Sequence, residues 1–347
     1  MSATRSLYLV ARYRAWSIRL PRRQFVATLA CAAALLALAL AALCLGDTRV
    51  APPDLWRALT GQAPGWLNFL IGQIRLPRLL AALLVGAALG VAGLMLQTLA
   101  RNRLASPDMM GINDGASFAM ALTLLWSPAG LLGPWWLALT GALVTVLLIL
   151  VAAGGIGSQG YRVVVVGLAL ANLLKAGFDL VLATLPAMHS GGLFVFSVGS
   201  LLGRGYAVAL PAALGLLLLL GMLLPWVRTL GMLGLSDDLA RGLGVRLPRV
   251  QLAALLIAAA MAGLAVSVAG PIGFVAIAAP IVARALAGPA SLPLAAAGLM
   301  GAFMVLAADT LGRLVAAPVE IPAGVVTGML GGPFLLWVLL GQRGRRA

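Results

Sequence analysis

The amino-acid sequence predicts an all-α polytopic membrane protein with about ten transmembrane helices. Of its 347 residues, 62% are hydrophobic and 10% are charged, and its mean hydropathy is +1.07. Apolar stretches recur from end to end, and each can cross a hydrocarbon core of roughly 30 Å. The charged residues lie mostly between these stretches, since a charge at the bilayer centre costs at least about 2.5 kcal/mol.

The first apolar stretch is predicted to be a retained helix. Six arginines precede it, as in a signal peptide, but it exceeds the roughly 7–15 residues of a signal-peptide core and further spans follow. The ten predicted spans are residues 25–46, 79–100, 110–127, 131–152, 162–184, 206–226, 250–269, 271–287, 293–311 and 322–341.

The seventh and eighth spans have the least regular boundary. Gly270 and Pro271 offer only a tight break, so one or both helices are expected to be broken or re-entrant. Residues 80–93 weakly resemble residues 252–270, and these two spans run in opposite directions, as an inverted repeat requires. Shared apolar composition would produce the same resemblance, so both interpretations stay open.

The cations predict the orientation in the membrane. With the N-terminus inside, the inner segments hold 17 cations and the outer segments six, while Lys175 lies within a span. This excess fits an even number of spans with both termini cytoplasmic. The predicted organisation is a basic cytoplasmic N-terminus (1–24), one transmembrane domain (25–341) with a cytoplasmic loop (228–249), and a cytoplasmic tail (342–347). Nucleic-acid binding is rejected despite the net charge of +15, because the cations form no basic face.

The sequence lacks the residues of the common catalytic and metal sites. It has one histidine, one lysine and two cysteines, Cys31 and Cys44, both in the first apolar stretch. These residues cannot build a common zinc site, and Lys175 does not lie in a P-loop sequence. We therefore predict no catalytic residue, no metal site and no bound cofactor. If ATP powers this protein, a separate subunit hydrolyses it.

A polar segment interrupts the apolar second half of the chain, between spans six and seven. Ser236 is a suitable N-cap, because its hydroxyl can accept from a free backbone N–H. Asp237 and Asp238 follow in the first turn, where the helix dipole favours negative charge. Gly242 and Gly244 are placed to end the helix. Such a two-turn helix is unstable alone in water, so we expect it to dock against a partner.

Seven sequence islands follow one another between residues 75 and 340. They include Arg-Leu-Pro-Arg at 75–78, Gly-Ile-Asn-Asp-Gly at 111–115 and Asp-Leu-Ala-Arg-Gly-Leu-Gly-Val at 238–245. In this order, and with ten spans, they resemble the FecCD/BtuC family of ABC importer permeases. No single island is decisive, whereas seven together are highly specific. The other four lie at 104–107, 268–274, 308–313 and 321–334.

The resemblance implies one half of a dimeric pore in a bacterial inner membrane. The implied partners are a cytoplasmic ABC ATPase dimer that uses the ATP, a periplasmic or lipid-anchored substrate-binding protein, a second permease and membrane lipids. The implied substrate is a ferric siderophore, with cobalamin or haem as alternatives. An ion-coupled secondary transporter is the alternative from a different class.

Two places depart from the family pattern. Arg103 follows Asn102 where the family usually has proline, and Ile281 follows Pro280 where it often has histidine. The second departure resembles one permease of the two-permease siderophore systems. The second permease is therefore either another copy of this chain or a paralogous chain.

By resemblance, the polar segment is the coupling helix that fits a groove on the ATPase. The alternative is a solvated cytoplasmic turn. The candidate coupling residues are Ser236, Asp237, Asp238, Leu239, Ala240, Arg241, Gly242, Leu243, Gly244 and Val245.

Three arginines, Arg75, Arg78 and Arg313, lie on the predicted outer side, against the positive-inside trend. Exposed guanidinium groups bind carboxylates through paired hydrogen bonds. The resemblance implies that they receive acidic residues of the substrate-binding protein. The alternative is that they are interfacial arginines whose charges reach the headgroup region. Asp309 lies four residues before Arg313, which also permits a local ion pair.

Lys175 and Asp179 lie four residues apart in the fifth span, so they share a helix face and can pair. Such a pair usually faces the bundle or a water-filled cavity. The resemblance places the fifth and tenth spans around the translocation path; a neutralised packing pair is the alternative. The tenth span is rich in glycine, which suits either a gate or plain packing. Its candidate residues are Gly324, Thr327, Gly328, Gly331, Gly332 and Pro333.

Overall fold

Fifteen α-helices make up most of the chain that the computed structural model describes, which is residues 8–13, 16–46, 48–126, 133–155, 160–233, 237–288 and 292–343. A π-helical turn, Leu70–Arg75, joins α3 to α4. The helices are α1 (Arg22–Cys44), α2 (Pro52–Leu59), α3 (Gly65–Phe69), α4 (Leu76–Leu99), α5 (Ile112–Thr123), α6 (Trp136–Ala153), α7 (Gly160–Thr184), α8 (Ala187–Ser197), α9 (Tyr206–Leu223), α10 (Val227–Met232), α11 (Asp237–Gly242), α12 (Leu247–Ala269), α13 (Val275–Ala287), α14 (Leu294–Val315) and α15 (Ala323–Arg343).

A β-hairpin precedes α1 and was not predicted. β1 (Tyr8–Tyr13) pairs antiparallel with β2 (Trp16–Pro21), and Tyr13 lies opposite Trp16. The many arginines of this segment indicated only a basic terminus. Its aromatic and β-branched residues nevertheless favour strands.

Ten of the helices correspond one to one with the ten predicted spans, which confirms the all-α polytopic fold. Among the described residues, seven helical segments are long and apolar enough to cross a membrane, and the apolar segments of spans three, eight and ten are shorter (Ile112–Leu125, Val275–Ala287 and Ala323–Val338). The connections hold α2, α3, α8, α10 and α11. Of these, only α11 was predicted, because α2, α3, α8 and α10 have only 8, 5, 11 and 6 residues and form no long apolar stretch.

The centre of the bundle is formed by α4 and α12. In their most apolar windows 72% and 83% of the residues are buried, against 22% for α7. A side chain on Gly86 of α4 would overlap the carbonyl oxygen of Gly301 in α14, and one on Gly90 would overlap that of Ala297. Glycine thus allows direct contact between the two backbones. The inverted repeat that would relate α4 to α12 stays a prediction.

The break between spans seven and eight lies inside the bundle. Gly270 (φ 74°) follows α12, and Phe274 (φ 71°) precedes α13. Gln97, close to the inner end of α4, donates to the carbonyl oxygen of Ile277 in the first turn of α13 at 3.1 Å. The 13 residues of α13 make about 20 Å of helix. This helix is too short to cross a core of roughly 30 Å by itself, which agrees with the expected broken helix.

Candidate functional site

The predicted coupling helix is present as α11, between α10 and α12. Its C-terminus is closed by hydrogen bonds from Gly244 N to the carbonyl oxygen of Arg241 (2.9 Å) and from Val245 N to that of Ala240 (3.1 Å). With Gly244 at φ 80°, this pattern is a Schellman cap. Glycine is favoured at this position, because it alone adopts left-handed backbone without strain.

Only one of the two predicted glycine stops ends the helix. Gly242 is the last helical residue of α11, whereas Gly244 forms the left-handed turn after it. The predicted N-cap, Ser236, and the side chain of Asp237 lie outside the described residues.

Two apolar side chains, one in α11 and one just after it, are exposed. Leu239 and Leu243 are 61% and 63% exposed, whereas Ala240 is fully buried. Asp238 and Arg241 approach to only 3.7 Å and are both exposed, so their attraction adds little stability. Two leucines four residues apart make one apolar ridge. Such a ridge fits a hydrophobic groove on another protein.

The outer end of α4 carries a buried ionic network of Arg78, Asp309, Arg313 and Glu320, here called the outer network. Arg78 Nη2 lies 2.8 Å from Asp309 Oδ1, and Arg78 Nη1 lies 2.8 Å from Glu320 Oε2. Arg313 Nε lies 3.4 Å from Asp309 Oδ2, so the predicted local pair is present. Two cations and two carboxylates leave the network with no net charge.

The predicted exposure of the three outer arginines is wrong. Arg75 is 6% exposed, and its guanidinium donates to the carbonyl oxygens of Leu43 (2.5 Å) and Thr48 (2.6 Å). It thus ties the end of α1, where helix carbonyls lack partners, to the start of α4. Arg78 and Arg313 are 12% and 11% exposed. These guanidinium groups bind within the chain, because buried charges need partners.

The middle of α7 has a polar face. Asn172, Lys175 and Asp179 are exposed, and their spacing places them on one side of the helix. The predicted ion pair is not formed: within the described part of the chain, no carboxylate lies within 4 Å of Lys175. Because lipid-facing charges are costly, this face requires water or another protein.

One face of α15 packs against neighbouring segments. Gly324 N donates to the carbonyl oxygen of Gly199 at 2.9 Å. Thr327 is buried and donates to the carbonyl oxygen of Gly324 at 3.0 Å. Gly331 lies against the ring of Phe274. These three candidates therefore have packing roles within the chain.

The other face of α15 is open. At Gly328 and Gly332, an added Cβ would meet no described atom within 4 Å. Pro333 lies inside the helix and has no N–H for the carbonyl four residues earlier. The two glycines leave a surface without side chains, which allows another chain to approach closely. The hydrogen bond missing at Pro333 allows the helix to bend.

Sequence reasoning missed two residues that connect these regions. Glu320 joins the segment before α15 to Arg78 of α4; its negative charge on the outer side was the available signal. Phe274 stacks edge-to-face on Phe334 of α15, with ring centroids 5.2 Å apart. It lies in a recognised island, but only the structure shows its left-handed backbone and its contact with span ten.

A sequence model described as the FecCD transport family matches residues 34–341. The chain belongs to the FecCD transport family. It is 37% identical to the ferric enterobactin transport system permease protein FepG of Escherichia coli K12 over 303 residues, which are 87% of this chain and 91% of that protein. It is 35% identical to the Fe(3+)-citrate import system permease protein YfmE of Bacillus subtilis 168, covering 92% and 96%. Identity to the hemin transport system permease protein HmuU of Yersinia pestis is 36%, covering 90% and 95%.

Solved structures share the fold of this FecCD protein. An inward-facing metal-chelate type ABC transporter superposes with a TM-score of 0.76 over 91% of this chain and 99% of the other, at 24% identity. PsaBC from Streptococcus pneumoniae, in complex with Fab, gives a TM-score of 0.55 over 81% and 94%, at 17% identity. These similarities support the helical arrangement alone.

FecCD membership confirms several predictions. The chain is a multi-pass membrane permease of the ABC importer class, and such permeases form transport channels rather than enzymes. The class implies an ATPase and a substrate-binding protein as partners. Membership of this class does not support the alternative of an ion-coupled secondary transporter.

Proposed function

We propose that this chain forms one half of the pore of a binding-protein-dependent ABC importer in a bacterial inner membrane. The polar face of α7 carries this proposal, because a lone chain would leave Lys175 and Asp179 facing lipid. A second permease or a water-filled path removes that cost. Reconstitution in liposomes tests it. Uptake is expected only with the ATPase, the binding protein and ATP, and uptake by the chain alone on an ion gradient would refute it.

A ferric siderophore is the proposed cargo. Relatives named for ferric enterobactin and Fe(3+)-citrate match nearly the whole chain. Haem is the second candidate, because a permease named for hemin transport is 36% identical, and cobalamin is a third by family resemblance. A deletion strain is expected to lose growth on ferric siderophores as the sole iron source. Normal growth on them with loss on hemin would select haem instead.

The translocation path is proposed to run along the polar face of α7 and the open face of α15. Single cysteines at Lys175 and Asp179, in a chain without Cys31 and Cys44, are expected to react with a water-soluble thiol reagent. Matched cysteines at Leu173 and Leu180, which are also exposed but lie elsewhere around α7, are expected to stay unlabelled. Protection of both polar positions in every state would exclude them from the path.

The ridge of Leu239 and Leu243 on α11 is proposed to enter a groove on the ATPase. Its support is the exposure of both leucines beside the buried Ala240, which anchors the helix to the permease. Changing both leucines to aspartate is expected to abolish ATPase co-purification. The exposed pair Asp238 and Arg241 supplies the control, because neutralising both leaves the apolar ridge unchanged.

The outer network is proposed to contact the substrate-binding protein through Arg78 and Arg313. Carboxylates of that protein would replace carboxylates of this chain on the two guanidinium groups. Glu320 is 28% exposed, so an incoming acidic residue can replace it on Arg78. Arg75 is left out of this proposal, because its donors are bound to backbone carbonyls deep in the chain.

The second permease is proposed to be a paralogous chain. Pro280 lies inside α13, and Ile281 after it matches the two-permease variant of the family. Two differently tagged copies of this chain are expected not to co-purify when a neighbouring permease gene is expressed with them. Efficient capture of one copy by the other would support a homodimer.

A further inference from the structure

An open pocket lies on the inner side of the molecule, where α10, the end of α11 and the start of α12 meet. Its volume is about 340 Å³. Apolar side chains form much of its wall, and two arginines lie at its α12 side. The lining residues used below are Trp226, Met232, Leu243, Val245, Arg246 and Arg249.

The two arginines of the pocket are exposed, and no carboxylate among the described residues pairs with them. Among the residues that the structure describes, no hydrogen bond or ion pair engages the side chain of Arg246 or Arg249, and no carboxylate lines the pocket. Both lie at the N-terminal end of α12, where the helix dipole disfavours cations. An anion in the pocket would relieve both effects. A guanidinium fork matches the oxygens of a phosphate in particular.

The surroundings of the pocket identify the source of that phosphate. The outward face of α9, which leads directly to Trp226, carries exposed leucines such as Leu214, Leu217 and Leu218. Unlike the face of α7, it carries no charge among its described residues, so it suits lipid chains. Tryptophan favours the membrane–water interface, and basic pockets between helices on the cytoplasmic side suit anionic headgroups.

We propose that this pocket binds the phosphate of an anionic phospholipid of the inner leaflet, with its acyl chains along α9. Leu243 and Val245 belong both to the pocket wall and to the segment that closes α11. A bound lipid would therefore stabilise the segment that connects α11, the proposed coupling helix, to α12. The site is independent of the identity of the transported substrate.

Native mass spectrometry of the purified full-length chain tests the proposal, with phosphatidylglycerol and phosphatidylcholine of the same acyl chains. Phosphatidylglycerol is expected to bind tightly. Arg246→Gln with Arg249→Gln should weaken it roughly 25-fold, the equivalent of about 1 kcal/mol for each arginine. Arg246→Lys with Arg249→Lys should keep most of the binding, because the charge remains. The matched control is Arg228→Gln with Arg241→Gln, which removes the same charge from the same loop outside the pocket.

Four results would overturn the proposal. An equal loss in the control pair would mean general attraction to the basic surface. Equal binding of phosphatidylcholine would mean that the headgroup charge is not recognised. Displacement of the lipid by millimolar glycerol phosphate would indicate a site for a soluble phosphate. Unchanged lipid binding in the Arg246→Gln, Arg249→Gln variant, with loss of ATPase co-purification, would assign the pocket to the ATPase.

Discussion

Arg78 and Arg313 at the outer end of the membrane domain differ from Arg246 at the inner end in whether a carboxylate neutralises them. At the outer end, Arg78 and Arg313 are held by Asp309 and Glu320 in a buried network without net charge. At the inner end, Arg246 lines an open pocket and has no partner among the described residues. Arginine thus stabilises the fold at the outer end and is available to bind a ligand at the inner end. The difference lies in whether the fold brings a carboxylate within reach.

The largest effect is expected from Asp309→Asn, which removes the carboxylate shared by Arg78 and Arg313. Breaking a buried ion pair costs about 3–5 kcal/mol, and the slight exposure of both arginines favours the lower end. Thermal unfolding of the detergent-solubilised chain measures the loss. Asp54→Asn is the control, because its pair with Arg57 at 3.2 Å is exposed. Similar losses in both variants would mean that the outer network is no stronger than a surface pair.

Gly244→Ala is expected to have the next largest effect, on coupling at the inner end. A side chain in left-handed backbone costs about 1–2 kcal/mol, so the closed end of α11 becomes less populated. ATP-driven uptake should fall roughly tenfold, while the partner subunits still hydrolyse ATP. Gly242→Ala is the matched control, because alanine is favoured inside a helix. Equal uptake in the two variants would show that the C-terminal cap of α11 does not contribute to coupling.

Glu320→Gln tests the role of the outer network, and its expected effect is smaller. It removes one carboxylate from Arg78 at a stability cost of about 1 kcal/mol, since Asp309 stays in place. Affinity for the binding protein, measured on the reconstituted permease, should rise at least threefold, because Arg78 can then accept an external carboxylate. Unchanged affinity would restrict the outer network to a structural role.

Arg241→Gln gives the smallest expected effect. Its pair with Asp238 is long and exposed, so the change in unfolding free energy should stay below about 0.5 kcal/mol. The same thermal unfolding assay measures it. A loss above about 1 kcal/mol would show that Arg241, too, stabilises the fold.

The ten spans were predictable from sequence, because bilayer thickness sets the length of an apolar helix. Short connecting helices such as α2 and α8 were not, since they form no long apolar stretch. The break after Gly270 was visible as Gly-Pro, but its depth in the bundle was not. That depth depends on how α13 packs against α4.

Side-chain pairing was predictable only in part. Spacing predicted both the Asp309–Arg313 pair and a Lys175–Asp179 pair, and only the first forms. A shared helix face permits contact, but the surroundings of each charge determine whether the ion pair forms. The pair of Arg78 and Asp309 joins residues 231 positions apart. It depends on the register of α4 against α14, which the sequence pattern does not reveal.

The glycine contact between α4 and α14 has a mechanical consequence. Where Gly86 and Gly90 meet α14, carbonyl oxygens occupy the space that side chains would fill, so the two helices cannot slide past one another without a collision of backbones. Spans two and nine should therefore move as one rigid block during transport. Displacement between outward and inward access is then expected in α7, in whose most apolar window only 22% of the residues are buried, and at the open face of α15.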